Sequence, residues 1–448
     1  TGIKNTSIGA RTMQATTVGQ ENVALGYQAM YTNVDGSKCV AIGANALLTQ
    51  DPASAVDMYN IAIGYNAGAA VTTGIKNVIL GSSAGDALTI GNYNIAIGHL
   101  ALSAEDTGSR NTAVGFEVLQ NLNFDGNGYN TAMGFQAGAA MTTGIRNVLI
   151  GGLAGDALTT GSSNIAIGLQ ALSTEDEHGL NIAIGHNALA SLNAGADAYN
   201  VAIGHLAGEN MTTGPENTLV GGLAGDALTT GSGNTAIGYG ALSTEDTGGG
   251  NTAIGRKALF TQDTGNDAYN TAVGYSAGFA VTTGPYNTLI GGLAGDAITT
   301  GDRNTVLGYN ALSTETTGHR SVAIGTGALR LQNGAATEVY NTAVGYNAGE
   351  SMTTGVKNTL LGGLAGDALT IGNNNTALGY MALSTSVDGD FNTAIGSSAL
   401  ESYEDGDGNG HNTAVGNSSQ LNATTGEYNT SLGSLSMGVG VTTGDHNV

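Results

Sequence analysis

The stretch that decides the fold is Asn-Thr-Ala-Ile-Gly at residues 234–238, which returns unchanged at residues 251–255. Related pentapeptides begin at 26 positions between Asn5 and Asn447, and the usual step is 17 residues. The leading asparagine is replaced only at Cys39 and Ser321, and the closing glycine is present in all 25 complete copies. One unit of this length cannot enclose a core alone, so the pattern predicts a repeat array.

The array has a second period of four coils, because every fourth step is longer, as from Asn111 to Asn130 and from Asn181 to Asn200. The resulting super-repeats are 70 or 71 residues long, and we number their coils one to four. Within a coil, the motif asparagine is position 1. We expect 1–448 to form one continuous array, with complete super-repeats at 60–129, 130–199, 200–269, 270–340 and 341–411 and partial ones at 1–59 and 412–448.

Small and β-branched residues alternate within the motif, which favours strands over helices. We therefore predict an all-β parallel β-solenoid (β-roll) of about 17 residues per coil, with two short strands and two turns in each coil. Such coils stack about 4.8 Å apart. Positions 2 and 4 are expected to fill a thin interior. Position 3, usually alanine, is expected on the opposite face, where it would allow close packing against another chain.

Composition restricts the partners. The chain has 448 residues, 35 acidic and 12 basic, a net charge of −23. Such a charge disfavours nucleic acid and anionic lipid as partners. No apolar run of about 20 residues exists, so no membrane insertion is predicted in this segment. The single cysteine, Cys39, excludes an intrachain disulfide. No catalytic triad or phosphate-binding loop stands out, so we predict no enzyme activity and no cofactor.

The motifs at residues 321–325 and 200–204 resemble the head repeats of YadA-type trimeric autotransporter adhesins. The longer stretch at residues 234–242 also resembles the shaft repeats of phage tail fibres. The resemblance covers nearly the whole chain and implies a left-handed β-roll that forms a homotrimer outside the cell or on the virion. The 17-residue coil and the four-coil period depart from the adhesin repeat.

Two columns of motif residues are structural candidates. Equivalent asparagines could form an amide ladder along the solenoid, or each could simply suit the turn before its strand. The closing glycines are expected at corners with positive φ or close backbone approach. The columns are represented by Asn60, Asn77, Asn94, Asn111 and Asn130 and by Gly64, Gly81, Gly98, Gly115 and Gly134.

Acidic residues recur once per super-repeat in two places. Weak calcium candidates in coil two are Asp86, Asp156, Asp226, Asp296 and Asp367, which would lie about 19 Å apart, too far to share an ion. An aspartate that closes its own turn explains them better. Coil three carries the pairs Glu105/Asp106, Glu175/Asp176 and Glu245/Asp246. A carboxylate pair suits glycoside hydrolysis, but a repeated and then altered pair is better explained as a solvated turn.

Exposed rings are the remaining candidates. A stripe of Tyr, Phe and His follows the motif glycine in coils one and three, with His99 and His205 in place of tyrosine. These rings could stack on sugars, or they could pack against the next turn or a neighbouring chain. Six N-glycosylation sequons do not follow the repeat: Asn5, Asn210, Asn374, Asn417, Asn422 and Asn429.

The leading functional hypothesis is a non-catalytic shaft of an extracellular fibre or adhesin. Its partners would be copies of itself, as a homotrimer or as an end-to-end filament joined through unpaired strand edges. The alternative is a fibre that binds surface glycans.

Overall fold

The computed structural model describes residues 2–334, 338–404, 409–440 and 443–448. The chain divides into two compact units, unit 1 (Thr1–Leu219) and unit 2 (Val220–Val448). The described residues contain 27 short strands joined by turns, and no α-helix.

The strands of unit 1 are β1 (Thr6–Ile8), β2 (Val23–Leu25), β3 (Gly36–Ser37), β4 (Val40–Ile42), β5 (Val56–Asp57), β6 (Ile61–Ile63), β7 (Val78–Leu80), β8 (Ile95–Ile97), β9 (Thr112–Val114), β10 (Thr131–Met133), β11 (Val148–Ile150), β12 (Ile165–Ile167), β13 (Ile182–Ile184) and β14 (Val201–Ile203), followed by β15 (Thr218–Val220) at the division.

The strands of unit 2 are β16 (Thr235–Ile237), β17 (Thr252–Ile254), β18 (Thr271–Val273), β19 (Thr288–Ile290), β20 (Thr305–Leu307), β21 (Val322–Ile324), β22 (Thr342–Val344), β23 (Thr359–Leu361), β24 (Thr376–Leu378), β25 (Thr393–Ile395), β26 (Thr413–Val415) and β27 (Thr430–Leu432).

Within each unit, the motif strands of successive coils pair in parallel and in register. In unit 1, for example, Ala166 lies opposite Ala183. In unit 2, Ala253 lies opposite Ala272, although one of the longer coils separates them. The longer coil therefore expands only in its turn region and leaves the register of the sheet unchanged. The prediction of an all-β parallel solenoid with about 17 residues per coil is confirmed.

The expectation of two strands per coil is wrong, because almost every described coil has one three-residue strand. The rest of the coil is a series of turns in which ordinary side chains adopt left-handed φ values, as at Leu100 (54°) and Leu102 (54°). Backbone hydrogen bonds to the next coil continue through these turns. The amide of Leu102, for example, donates to the carbonyl of Val118 over 3.0 Å.

The assignment of the two strand faces is also wrong. The position-3 residue points inward and is fully buried, as at Ala166, whereas its neighbours Ile165 and Ile167 are only half-buried. Alanine is the usual inward residue of a strand, and a larger residue takes its place mainly in coil two, where position 9 is glycine. The β-branched residues instead form the outer surface of the sheet, where their stiff side chains suit a pleated, half-exposed position.

The interior alternates with the four-coil period. In coils three and four, position 3 is alanine in all complete super-repeats except at Val306, and position 9 is leucine, as in Ala183 and Leu189, both fully buried. In coil two the sizes are exchanged. Leu149 occupies position 3 and Gly155 position 9, and a Cβ on Gly155 would lie 2.8 Å from Leu149 Cδ2. The two arrangements fill similar volumes, so the core stays closely packed.

Candidate functional site

The buried asparagine column joins successive coils. The backbone amide of Asn164 donates to Oδ1 of Asn147 over 2.8 Å, and Nδ2 of Asn147 donates to the carbonyl of Gly161 over 2.9 Å. The same two bonds recur along both units, for example at Asn60, Asn77 and Asn94. Direct amide-to-amide contacts occur in some coils only. Because these side chains are buried, each bond satisfies a group that water cannot reach.

The motif glycines form a second column in which the backbones of neighbouring coils approach closely. Gly98 has a φ of 131°, and a Cβ there would overlap the carbonyl oxygen of Gly115. Both the conformation and the contact exclude a side chain at this corner.

The outward face of the sheet carries no charge. Position 2 is Thr, Val or Ile in every complete coil, and position 4 is Ile, Val, Leu or Met. Several of these side chains are substantially exposed, including Met133 (47%) and Ile95 (36%). Position 4 is apolar in both units, whereas position 2 is Val or Ile in nine of the twelve motif strands β1–β14 of unit 1 but Thr in eleven of the twelve strands of unit 2. In unit 1 the exposed apolar residues therefore form two parallel columns, an arrangement that is typical of a contact surface.

The solvated turn expected for the acidic pairs is wrong for the glutamates. Four glutamates at position 12 of coil three are fully buried: Glu105, Glu175, Glu245 and Glu315. Each carboxylate joins its own turn to the long coil that follows. Glu315 Oε1 accepts from the amide of Gly318 (2.7 Å), and its Oε2 accepts from the amide of Gly334 (3.0 Å). The extra residues of the long coil interrupt direct coil-to-coil pairing here, and the carboxylate replaces it.

Burial changes the acidity of two of these groups. It raises the pKa of Glu105 from 4.5 to about 7, although hydrogen bonds from Gly108 and Phe124 oppose the change. Burial also raises the pKa of Glu175. A carboxylate that is enclosed and saturated by backbone amides has no accessible oxygen for a substrate, so this cluster has the features of a structural joint.

The structure does not bring the five calcium candidates into a metal-binding group. Among the described residues, the groups close enough to share an ion are Glu175–Asp176–His178 and Glu245–Asp246–Asp263, and neither contains a candidate. Burial raises the pKa of Asp86, Asp156, Asp296 and Asp367. In both groups the glutamate is already engaged by backbone amides, so neither is a preformed cation cage.

The sequons differ in accessibility. Asn210, Asn374 and Asn417 are exposed, whereas Asn5 and Asn422 are half-buried. Asn429 belongs to the asparagine column, is fully buried, and donates from Nδ2 to the carbonyl of Gly444 over 2.9 Å. A glycan on Asn429 is therefore incompatible with the folded coil.

Two rows of rings run along the turns. In the row at position 6, Phe116 and Phe135 stack with centroids 5.5 Å apart, as do His186 and His205 at 5.3 Å. His99 packs against Phe116 in the same row. The histidines therefore occupy the place of an aromatic ring in these coils.

A second row, formed by the residue before each asparagine, was missed from the sequence. Between Lys38 and Arg146 this row alternates cations with tyrosines. The guanidinium of Arg110 lies 5.6 Å from the centroid of Tyr93 and 5.5 Å from that of Tyr129. Lys76 lies 5.2 Å from Tyr93 in the same way. Aligning the residues that precede the motif would have shown this alternation.

These features define a β-solenoid repeat protein with an uncharged sheet face and surface rows of aromatic rings. No protein-family model matches the chain, and comparison with curated proteins also found no match. In the described part of the chain, no helix has the length and apolar character needed to cross a lipid bilayer.

Proposed function

We propose that this chain is a non-catalytic shaft segment of an extracellular fibre or adhesin, and that copies associate laterally, as a homotrimer, through the outward face of the sheet. The observation that carries the proposal is this uncharged face. Lateral packing would cover the apolar column at position 4 and, in unit 1, the Val and Ile residues at position 2. This face takes the place of the alanine face that the sequence suggested.

The size of the face supports this use. In unit 1, where position 2 is mostly Val or Ile, twelve motif strands at about 4.8 Å spacing and about 10 Å length give an area of roughly 500 Å². That area is at the upper end of apolar patches on monomers, which reach about 300–600 Å². The asparagine and glycine columns hold the strands in register, so the face is regular enough for two copies to match side by side.

The test is the mass of the species that the chain forms in solution, measured by analytical ultracentrifugation at micromolar concentration. We expect the mass of three chains for the unaltered protein. Ile95→Lys places a charge on the face and should shift the population to monomers. Its control is Ile90→Lys, which changes a nearby isoleucine that is 50% exposed outside the sheet.

A monomer in the unaltered protein, or an Ile95→Lys variant that stays trimeric, would contradict lateral association through this face. Negative-stain electron microscopy adds an independent readout, because a shaft should form uniform rods.

A further inference from the structure

The tyrosines at position 6 of unit 2 lie on alternate coils. They form what we call the tyrosine row: Tyr239, Tyr275, Tyr309, Tyr346 and Tyr380. Each is more than half exposed, between 51% and 61%. Parallel coils about 4.8 Å apart place successive members of the row roughly 10 Å from each other. That interval leaves space for one flat group between two rings.

We call the position-6 residue on the coil between two tyrosines of the row a station. At one station the side chain of Arg256 fills the space between the rings. Arg256 lies on the coil between Tyr239 and Tyr275, with its guanidinium 6.0 Å and 5.7 Å from the two ring centroids. Arg110 makes the same arrangement between two tyrosines of the other row. The arrangement in which a guanidinium lies between two tyrosine rings thus occurs twice in this solenoid, and cation–π attraction stabilises it.

Glycine takes the place of the arginine at two equivalent stations. Gly292 lies between Tyr275 and Tyr309, and Gly363 lies between Tyr346 and Tyr380. The backbone bonds are also equivalent, since the carbonyls of Arg256 and Gly292 both accept from the amide of the next coil over 3.0 Å.

The backbone does not require glycine at either station. Neither Gly292 nor Gly363 has a left-handed φ. A Cβ on Gly292 would lie 3.4 Å from Tyr309 Cδ2, and one on Gly363 would lie 3.6 Å from Tyr380 Cδ2, both ordinary van der Waals distances. Each glycine therefore adds no side chain of its own between the two tyrosines, and the ring of the following tyrosine borders the space.

We propose that the Gly292 and Gly363 stations are binding slots for guanidinium groups, such as arginine side chains of a partner protein. The occupant of the equivalent station, Arg256, identifies the chemistry. The net charge of −23 draws a cation toward the surface. The two slots lie four coils apart, roughly 19 Å, so a partner with two arginines at that spacing would bind more tightly through both.

The test measures binding of fluorescent hexa-arginine, hexa-lysine and hexa-citrulline peptides to the full chain by anisotropy at about 0.15 M salt, where long-range attraction is screened. We expect hexa-arginine to bind at least tenfold more tightly than the other two. The double variant Gly292→Arg/Gly363→Arg fills both slots in the manner of Arg256 and should weaken hexa-arginine binding at least tenfold.

The control variant is Ile371→Arg/Val387→Arg, which adds the same charge at exposed positions outside the row. It should bind hexa-arginine within twofold of the unaltered chain, and circular dichroism checks that both variants fold.

Equal binding of hexa-lysine, or equal loss in the control, would assign the effect to unspecific charge and overturn the proposal. Equal binding of citrulline would show stacking without charge, which also overturns it. A neutral glycan that binds the chain and is lost when the slots are filled would assign them to sugars instead.

Discussion

Coil two usually has leucine at position 3 and has glycine at position 9, whereas coil four has alanine and leucine there, and this difference gives a quantitative prediction. Leu149 is fully buried, with Cδ1 against Gly138 and Cδ2 against Gly155. Leu149→Ala should lower the local stability of coil two by about 2–5 kcal/mol, because it removes buried methyl groups and leaves a cavity. Gly155→Leu alone should cost about 1–3 kcal/mol through overpacking against Leu149. The left-handed conformation of the new leucine should add about 1–2 kcal/mol to that cost.

The double variant Leu149→Ala/Gly155→Leu should lose less than about 2 kcal/mol, because the two volume changes compensate. It reproduces the arrangement already present in coil four, where Ala183, Leu189 and Leu192 are all buried. Leu189 also has a φ of 50°, so the backbone accepts leucine in this conformation.

The assay is hydrogen exchange, because repeat arrays open locally and a single melting transition does not report one coil. Protection of peptides that cover β11 and β12 gives the opening free energy of coil two. A double variant at least as unstable as the two single variants added together would refute the packing explanation of the four-coil period.

Three further predictions concern buried polar groups. Asn147→Ala leaves the amide of Asn164 and the carbonyl of Gly161 without partners. Hydrogen exchange of coils two and three should therefore show that the opening free energy falls by about 1–3 kcal/mol per group. Asn147→Ser, which introduces the residue that the chain itself carries at Ser321, should lose less, and an equal loss would contradict this. The native pKa of Glu105, about 7, exceeds its unfolded value of 4.5, so the native chain holds the extra proton and stability should fall as pH rises between those values. The fall in stability should reach at most about 3 kcal/mol and vanish in Glu105→Gln, as measured by hydrogen exchange across a pH series. If stability falls as steeply with pH in the variant, Glu105 is not the group responsible. Cys39 is buried and burial raises the pKa of its thiol, so a thiol reagent should modify it only after unfolding, and rapid labelling of the native chain would contradict its position.

The repeat spacing was sufficient to predict the solenoid and its register, because motifs that recur at such a short, constant interval can pair in parallel only as successive coils. The direction of the strand faces could not be predicted from the same spacing. Alternation shows that positions 2 and 4 share one face, but it does not show which face is inward. The inward face depends on the side to which the turns close the coil, and these turns contain left-handed leucines such as Leu102, which the strand pattern does not reveal.

The buried glutamates show a second limit of the sequence. Glu105 and Asp106 are adjacent and look alike as a surface pair, yet only the glutamate is fully buried. Its environment depends on the extra residues of the following coil. The amide of Phe124, 19 positions away in sequence, donates a hydrogen bond to the Glu105 carboxylate. The surface rows could be predicted in part. Tyrosine at position 6 is visible in the sequence, but the ring-to-guanidinium distances at Arg256 are not.

Parallel pairing of three-residue strands has a mechanical consequence. Each coil of a unit is hydrogen-bonded across its strand to the next, so a load along the stacking direction would open these bonds one row at a time rather than shear many together. Each released 17-residue coil adds roughly 60 Å of contour length. Such a chain should yield by small, evenly spaced extensions at low force, and the longer coils should mark every fourth extension.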